Sequence, residues 1–235
     1  MNDVTVSSNG KTAPILAAVF DLDGVLMDSE WVSFLIWREV AQANGGTLKA
    51  EHFSVMTGMA AEEAAEYVMR VSGARFPLTE TVAYIWHEVT ARITTGIAPL
   101  PGSGELLVEL TRRGLLLAIA SNSPTAYIQT ALNGLGMVSY FSAIAGVDEV
   151  AQGKPAPDVY LLAASRLGVS PQHCLALEDS LVGSQAALAA GMRVLAVPSK
   201  HDQPAKFTAC FGIYDSLVDV GESLDAILAG TFEPN

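Results

Sequence analysis

The stretch Ile15-Leu16-Ala17-Ala18-Val19-Phe20-Asp21-Leu22-Asp23-Gly24-Val25 decides the fold. Its first part, Ile15–Phe20, is continuously apolar, the pattern of a short strand buried on both faces. The run then breaks abruptly into two aspartates spaced by one residue, followed by a glycine. Similar apolar runs recur at Leu115–Ala120, Ala143–Ala145, Cys174–Leu177 and Val194–Val197. Helical patterns separate the later runs. Residues 103–113 place Leu106, Leu107 and Leu110 on one face, Arg112 and Arg113 suit the negative end of the helix dipole, and Gly114 suits a left-handed exit. Helices are predicted likewise at 157–167 and 180–190, ending at Gly168 and Gly191. Strand alternating with helix predicts an α/β fold: a Rossmann-like, doubly wound parallel sheet with right-handed crossovers and helices on both faces.

Between the first and second strands the rhythm changes. Residues 29–97 carry helical spacing instead: Ala61, Ala64, Ala65, Val68 and Met69, then Val82, Ile85, Trp86, Val89 and Ile93. Asn44-Gly45-Gly46 and Gly73 mark breaks between helices. That much helix is too long for a crossover and suits a small inserted domain. The expected organisation is therefore a flexible leader at 1–14, a catalytic core from 15–28 and 98–235, and an α-helical cap at 29–97.

Composition narrows the function classes. The chain has 235 residues, 50 % of them hydrophobic, and a net charge of −12. Such a surface repels phosphate backbones and anionic lipid, which argues against nucleic-acid and membrane-surface roles. Two cysteines, Cys174 and Cys210, cannot build a disulfide framework, and no apolar run approaches the roughly 20 residues of a membrane span. The expected location is the cytoplasm. The sequence leaves monomer and homodimer open.

Open α/β sheets bind ligands at the carboxyl ends of their strands. Those ends carry Asp21 and Asp23 after the first strand, Ser121 and Asn122 after the second, Lys154 in the loop beyond the third, and Glu178, Asp179 and Ser180 after the fourth. Two unit charges about 4 Å apart repel by roughly 4 kcal/mol at an effective dielectric near 20. Such a carboxylate crowd needs protons or a cation, and oxygen-only ligands favour Mg²⁺, whose coordination is commonly completed by substrate phosphate. Ser121 and Asn122 offer a hydroxyl and an amide to a phosphate. Ser123 is placed to cap the next helix, with Pro124 at its first position, so that the helix aims its positive end there. Lys154 adds a charge able to neutralise phosphoryl oxygens in the transition state. In Asp-x-Asp, Asp21 suits attack on phosphorus to form an aspartyl-phosphate. Asp23 suits protonation of the departing alcohol and then deprotonation of water. Gly24 lets the chain turn beneath them.

These residues resemble the four motifs of the haloacid dehalogenase-like hydrolase superfamily. Phe20-Asp21-Leu22-Asp23-Gly24-Val25 is similar to the first, Ala120-Ser121-Asn122 to the second, Gly153-Lys154-Pro155 to the third and Glu178-Asp179-Ser180 to the fourth. The continuation through Gly183, Ala186, Ala187 and Gly191-Met192 is typical of the branch with beta-phosphoglucomutase and sugar-phosphate phosphatases. The resemblance implies Mg²⁺ on the Asp21 carboxylate, the Asp23 main-chain carbonyl and Asp179. It also implies that Glu178 acts through metal-bound water, and that a cap closes over the substrate. Dehalogenases of the superfamily lack the second aspartate, so Asp23 argues against carbon–halogen chemistry. The mutases carry a histidine and a phosphate-gripping arginine in the cap, where Ser33 and Ala61 stand here. The expected activity is hydrolysis of a small phosphorylated metabolite, a sugar phosphate first. A hexose-phosphate mutase is the rival enzyme, and a phosphate-ligand binding or regulatory module without turnover is the reading outside enzymes.

Other features read as structure. His52, His87, His173 and His201 have no ligand spacing, and Cys174 falls inside a predicted strand. Trp31, Trp37 and Trp86 are expected in the cap core, with Trp31 the one placed to face the crevice. The basic residues Arg38, Lys49, Arg70, Arg75 and Arg92 are expected on the outer face of the cap.

Overall fold

A computed structural model describes residues 13–57, 59, 61–198 and 204–230. The expected leader, apart from Ala13 and Pro14, lies outside the described residues, as does His201. The sheet is parallel, with six strands in the order β3-β2-β1-β4-β5-β6. They are β1 (Ala17–Phe20), β2 (Leu116–Ala120), β3 (Ala143–Ala145), β4 (Cys174–Glu178), β5 (Arg193–Ala196) and β6 (Gly212–Ile213). Five strands match the apolar runs to within two residues at each end. β6 has too few residues to register as a run.

Alternation along each strand separates two unlike faces. Ala17, Val19, Ala118, Ala120, Cys174 and Ala176 point to one side. These small residues let α7 (Asp158–Leu167) and α8 (Leu181–Ala189) lie close on the sheet. Ala18, Phe20, Leu117, Ile119, Leu175 and Leu177 point to the other. There they meet α5 (Ser103–Arg112) and the C-terminal helices α9 (Leu217–Glu222) and α10 (Leu224–Ala229). Gly168 ends α7 with φ +68°, the left-handed exit expected of it.

After β1 the chain leaves the sheet and forms α1 (Ser29–Ala43), the single-turn α2 (Phe53–Met56), α3 (Ala61–Ser72) and α4 (Leu78–Thr95). Asp28 caps α1 by accepting the Trp31 N–H at 2.8 Å. The inner stripe of α4, Val82, Ile85, Val89 and Ile93, is buried as its spacing predicts. α4 packs against α6 (Thr125–Gly134) of the sheet layer. Gly134 permits the crossing, because a Cβ there would stand 2.1 Å from the Ile93 carbonyl oxygen. Among the described residues no helix is long and apolar enough to cross a membrane.

Candidate active site

The chain runs outward from β1 through β2 to β3, then returns to place β4 on the opposite side of β1. The reversal opens a crevice at the carboxyl ends of β1 and β4, the point where such sheets bind ligands. Asp21 follows β1 directly and is locked to β4 by its N–H, which donates to the Leu177 carbonyl at 3.0 Å. Glu178 ends β4 and Asp179 follows it. One carboxylate oxygen from each of Asp21, Glu178 and Asp179 lies within 4.8 Å of the others.

Glu178 is fully buried and its hydrogen bonds are saturated. Oε1 accepts from Lys154 Nζ at 2.6 Å and from the Tyr160 hydroxyl at 2.6 Å. Oε2 accepts from the Ser180 hydroxyl at 3.0 Å and its N–H at 3.3 Å. Lys154 Nζ also stands 2.8 Å from Asp21 Oδ1, with only 4 % of the side chain exposed. Burial pulls the ammonium down, but Asp21 and Glu178 together outweigh it and raise its pKa above the ordinary lysine value. Lys154 is therefore a charged strut between two carboxylates. Ser180 also caps α8 by accepting the Gly183 N–H at 3.1 Å. Its hydroxyl thus both donates to Glu178 and accepts from the helix.

Gly183 is what makes room for this arrangement. A Cβ at 183 would fall 1.8 Å from Glu178 Oε1. In an ordinary helix Gly→Ala stabilises by about 1 kcal/mol. Here Gly183→Ala is expected to destabilise by about 1–3 kcal/mol, because the buried carboxylate must leave its partners. Urea unfolding of the two proteins reads the sign directly.

Asp179 leans on Gly24 in the same way. Gly24 has φ +79°, and a Cβ there would lie 1.9 Å from Asp179 Oδ2. Burial raises the proton affinity of Asp179, and the charges of Asp21 and Glu178 add to it. Burial likewise pushes Asp21 up to about 7; Lys154 pulls against it and Glu178 reinforces it. One lysine does not neutralise three carboxylates. The donor set is all oxygen and the residual charge is negative, which fits a hard divalent cation such as Mg²⁺ on Asp21 and Asp179. Glu178, with all its hydrogen bonds taken, is left to act at one remove.

Asp23 sits in a different environment. Its Oδ1 accepts from the Ser29 hydroxyl and, at 3.3 Å, from Tyr127; Oδ2 accepts from Ser123 at 3.1 Å. Burial raises its pKa, and these hydroxyls partly offset the rise. A carboxyl that keeps its proton more readily than usual suits a general acid. Ser121 is buried, and its hydroxyl oxygen accepts the Ser123 N–H at 3.1 Å.

The segment after Ser121 departs from the expectation. Ser123 does not cap α6. Pro124 is the cap residue, outside the helix rather than its first residue, and no side chain of its own caps the helix. The Thr125 N–H donates instead to Asp148 at 2.8 Å, and the Thr125 hydroxyl reaches Glu149 at 2.8 Å. Carboxylates from the loop after β3 thus occupy the positive end of α6, which leaves the Ser123 hydroxyl for Asp23. Asn122 is also engaged: Oδ1 accepts the Lys154 N–H at 2.7 Å and Nδ2 donates to the Lys154 carbonyl at 3.3 Å. Its amide braces the lysine loop.

A cavity of about 270 Å³ opens beside Asp23, between α1, α3 and α4 on one side and the start of α6 on the other. Ser33 and Ala61 both line it. Trp86, 58 % exposed, forms part of its wall and is not in the core as expected. Trp31 is not among the lining residues; it stacks on Phe34 and meets Phe53 edge-on. Ile85 and Val89 of the packed stripe line the same cavity while staying buried, whereas Trp86, beside them on α4, is largely exposed, a difference that spacing alone does not show.

Local patterns gave no sign of Tyr160, Tyr127 or Ser29, which reach Glu178 and Asp23 across separations of 18, 104 and 6 residues. Cys174 is buried and its thiol is pushed up to about 11 by that burial, in keeping with packing.

A haloacid dehalogenase-like hydrolase family model matches residues 18–197. The chain belongs to the haloacid dehalogenase-like hydrolase family. It is 34 % identical over 203 residues to the bifunctional riboflavin kinase/FMN phosphatase of Arabidopsis thaliana, covering 86 % of this chain and 53 % of that protein. The chain therefore spans about half the length of that relative. It is 31 % identical to the fructose-1-phosphate phosphatase YqaB of Escherichia coli, covering 74 % of this chain and 92 % of the relative. It is also 31 % identical to the beta-phosphoglucomutase of Bacillus subtilis, covering 77 % and 82 %. The crystal structure of a HAD family hydrolase from Deinococcus radiodurans R1 with bound phosphate and sodium superposes with a TM-score of 0.77, at 28 % identity, over 95 % of this chain and 100 % of that one.

Proposed function

We propose that this protein is a Mg²⁺-dependent phosphatase that hydrolyses monoesters of small phosphorylated metabolites through an aspartyl-phosphate on Asp21. The observation that carries the reading is the placement of Asp21 at the sheet's switch point, between the Lys154 ammonium and the carboxylate of Asp179. Two relatives named as phosphatases and a phosphate-bound structural neighbour support it.

Asp21 and Asp179 would hold the cation, which when bound shields the carboxylates and draws charge from the phosphoryl oxygens. The rest falls to the chain's own groups. Asp21 attacks phosphorus, the bond from phosphorus to the ester oxygen breaks, and Asp23 gives its proton to the departing alcohol. Asp23 then takes a proton from water as that water attacks the aspartyl-phosphate, releasing inorganic phosphate and restoring Asp21. Lys154 and Ser121 stabilise the phosphoryl oxygens, and Asn122 and Tyr160 hold Lys154 and Glu178 in place. Residues 29–97 act as a cap that excludes water and selects the alcohol.

Hydrolysis is preferred to a mutase reaction because no lysine or arginine is among the described residues lining the cavity that would hold a second phosphate. Phosphate release from a panel of esters is expected to fall to background in EDTA and to return with Mg²⁺. Full activity in EDTA, or isomerised product without phosphate release, contradicts the reading.

A further inference from the structure

The cavity beside Asp23 is placed to receive the alcohol half of the ester. Asp23, which protonates the leaving oxygen in the reading above, is itself one of its lining residues, together with Ser29, Ser123 and Tyr127 at the same end. Away from that end the walls are largely apolar: Phe34, Phe53, Met56, Met59, Ile85 and Trp86. The ionisable acidic groups among the described lining residues are Asp23 and Glu30, and the described lining includes no cation. Of the lysines and arginines in residues 29–97, Arg38 is exposed and not among the lining residues, and the other four are engaged elsewhere. Arg92 pairs with Glu39, and Lys49 lies 3.8 Å from Glu51. Arg75 donates to the carbonyls of Met69 and Ala74, and Arg70 lies over the Tyr67 ring.

Each feature selects against a charged or heavily hydroxylated alcohol. A second phosphate or a carboxylate would enter a pocket lined by the acidic Glu30 and, among the described residues, by no cation to pair it. The hydroxyls of a hexose need partners along their whole length, yet beyond the Asp23 end the polar side chains are few, chiefly Ser33 and Thr57. Aromatic and methionine side chains take a flat or flexible apolar group well. The volume of about 270 Å³ sits at the small end of ligand pockets.

Building on the phosphatase reading, we infer that the substrate is a monophosphate whose alcohol is uncharged and presents an apolar or aromatic face, seated against Phe34, Met59 and Trp86. This departs from the sugar phosphate that the sequence suggests.

The test measures phosphate release by the full chain with Mg²⁺ from four primary-alcohol esters, so that the leaving groups stay comparable: benzyl phosphate, n-hexyl phosphate, glucose 6-phosphate and fructose 1,6-bisphosphate. The kcat/KM for benzyl and hexyl phosphate is expected to exceed that for glucose 6-phosphate by about tenfold or more, with the bisphosphate lowest. Trp86→Ala is expected to narrow the benzyl-to-glucose ratio, and Ala61→Arg to raise the bisphosphate relative to benzyl phosphate. A preference for the sugar phosphates, or ratios that neither substitution moves, overturns this inference and leaves the phosphatase standing. Release from none of the four esters overturns both.

Discussion

Asp21→Asn is expected to lower kcat for any accepted ester by about 10⁴-fold or more, the scale seen when a covalent nucleophile is removed. The amide keeps the shape of the side chain but cannot form the acyl-phosphate. Stability is not expected to fall in metal-free protein. Burial holds the Asp21 carboxyl up at about 7, against Lys154, so its charge already opposes folding at higher pH. A carboxyl raised in this way costs nothing where it is protonated in both folded and unfolded chains, and its penalty is complete above the folded value. A neutral side chain avoids that penalty. Steady-state phosphate release together with thermal unfolding in EDTA checks both halves. The same variant separates an enzyme from a binding module, since a module that only holds a phosphate ester has no rate to lose.

Lys154→Met is expected to cost both rate and fold. The lysine bridges Asp21 and Glu178, the latter fully buried, and methionine fills its volume without its charge. Breaking a buried pair by removing one partner typically costs about 3–5 kcal/mol, because the orphaned charge stays in a poorly solvated place. Phosphate release should fall by about 10²–10³-fold, as when one transition-state donor is removed. Adding Glu178→Gln to Lys154→Met should recover part of the lost stability, since the remaining Tyr160 and Ser180 hydrogen bonds suit a neutral amide. Denaturant unfolding of the single and double variants measures that coupling, expected at about 1 kcal/mol or more. Additive losses would mean that the two side chains do not act as a pair.

The sheet was legible because a strand buried on both faces leaves a continuous apolar run, and Ile15–Phe20 and Cys174–Leu177 are such runs. The strand ends were legible for a related reason: polar residues directly after a buried strand have few structural uses. Asp21, Asp23, Glu178 and Asp179 stand out on that ground alone, whereas Lys154 lies farther along, in the loop beyond β3. What remained hidden depends on contacts distant in sequence. Tyr160 looks like an ordinary core residue of α7, yet its hydroxyl ends on Glu178. Ser123 looks like a helix cap, but Asp148 and Glu149 arrive from another loop and take over the helix end. Trp86 fits the apolar side of α4 by spacing, but of the three α4 residues that line the cavity Ile85 and Val89 are buried and Trp86 is left exposed. Spacing gives the face of a helix, not what stands opposite it.

In the proposed reaction phosphorus is captured by Asp21. Mixing the protein with Mg²⁺ and a hydrolysed ester, quenching in acid within one turnover and mapping the peptides by mass tests it most directly. One added phosphoryl group is expected on the peptide that contains Asp21, lost on longer incubation and absent from Asp21→Asn. Phosphate released in that first turnover with no modified peptide, or with the phosphoryl group on another residue, would contradict it.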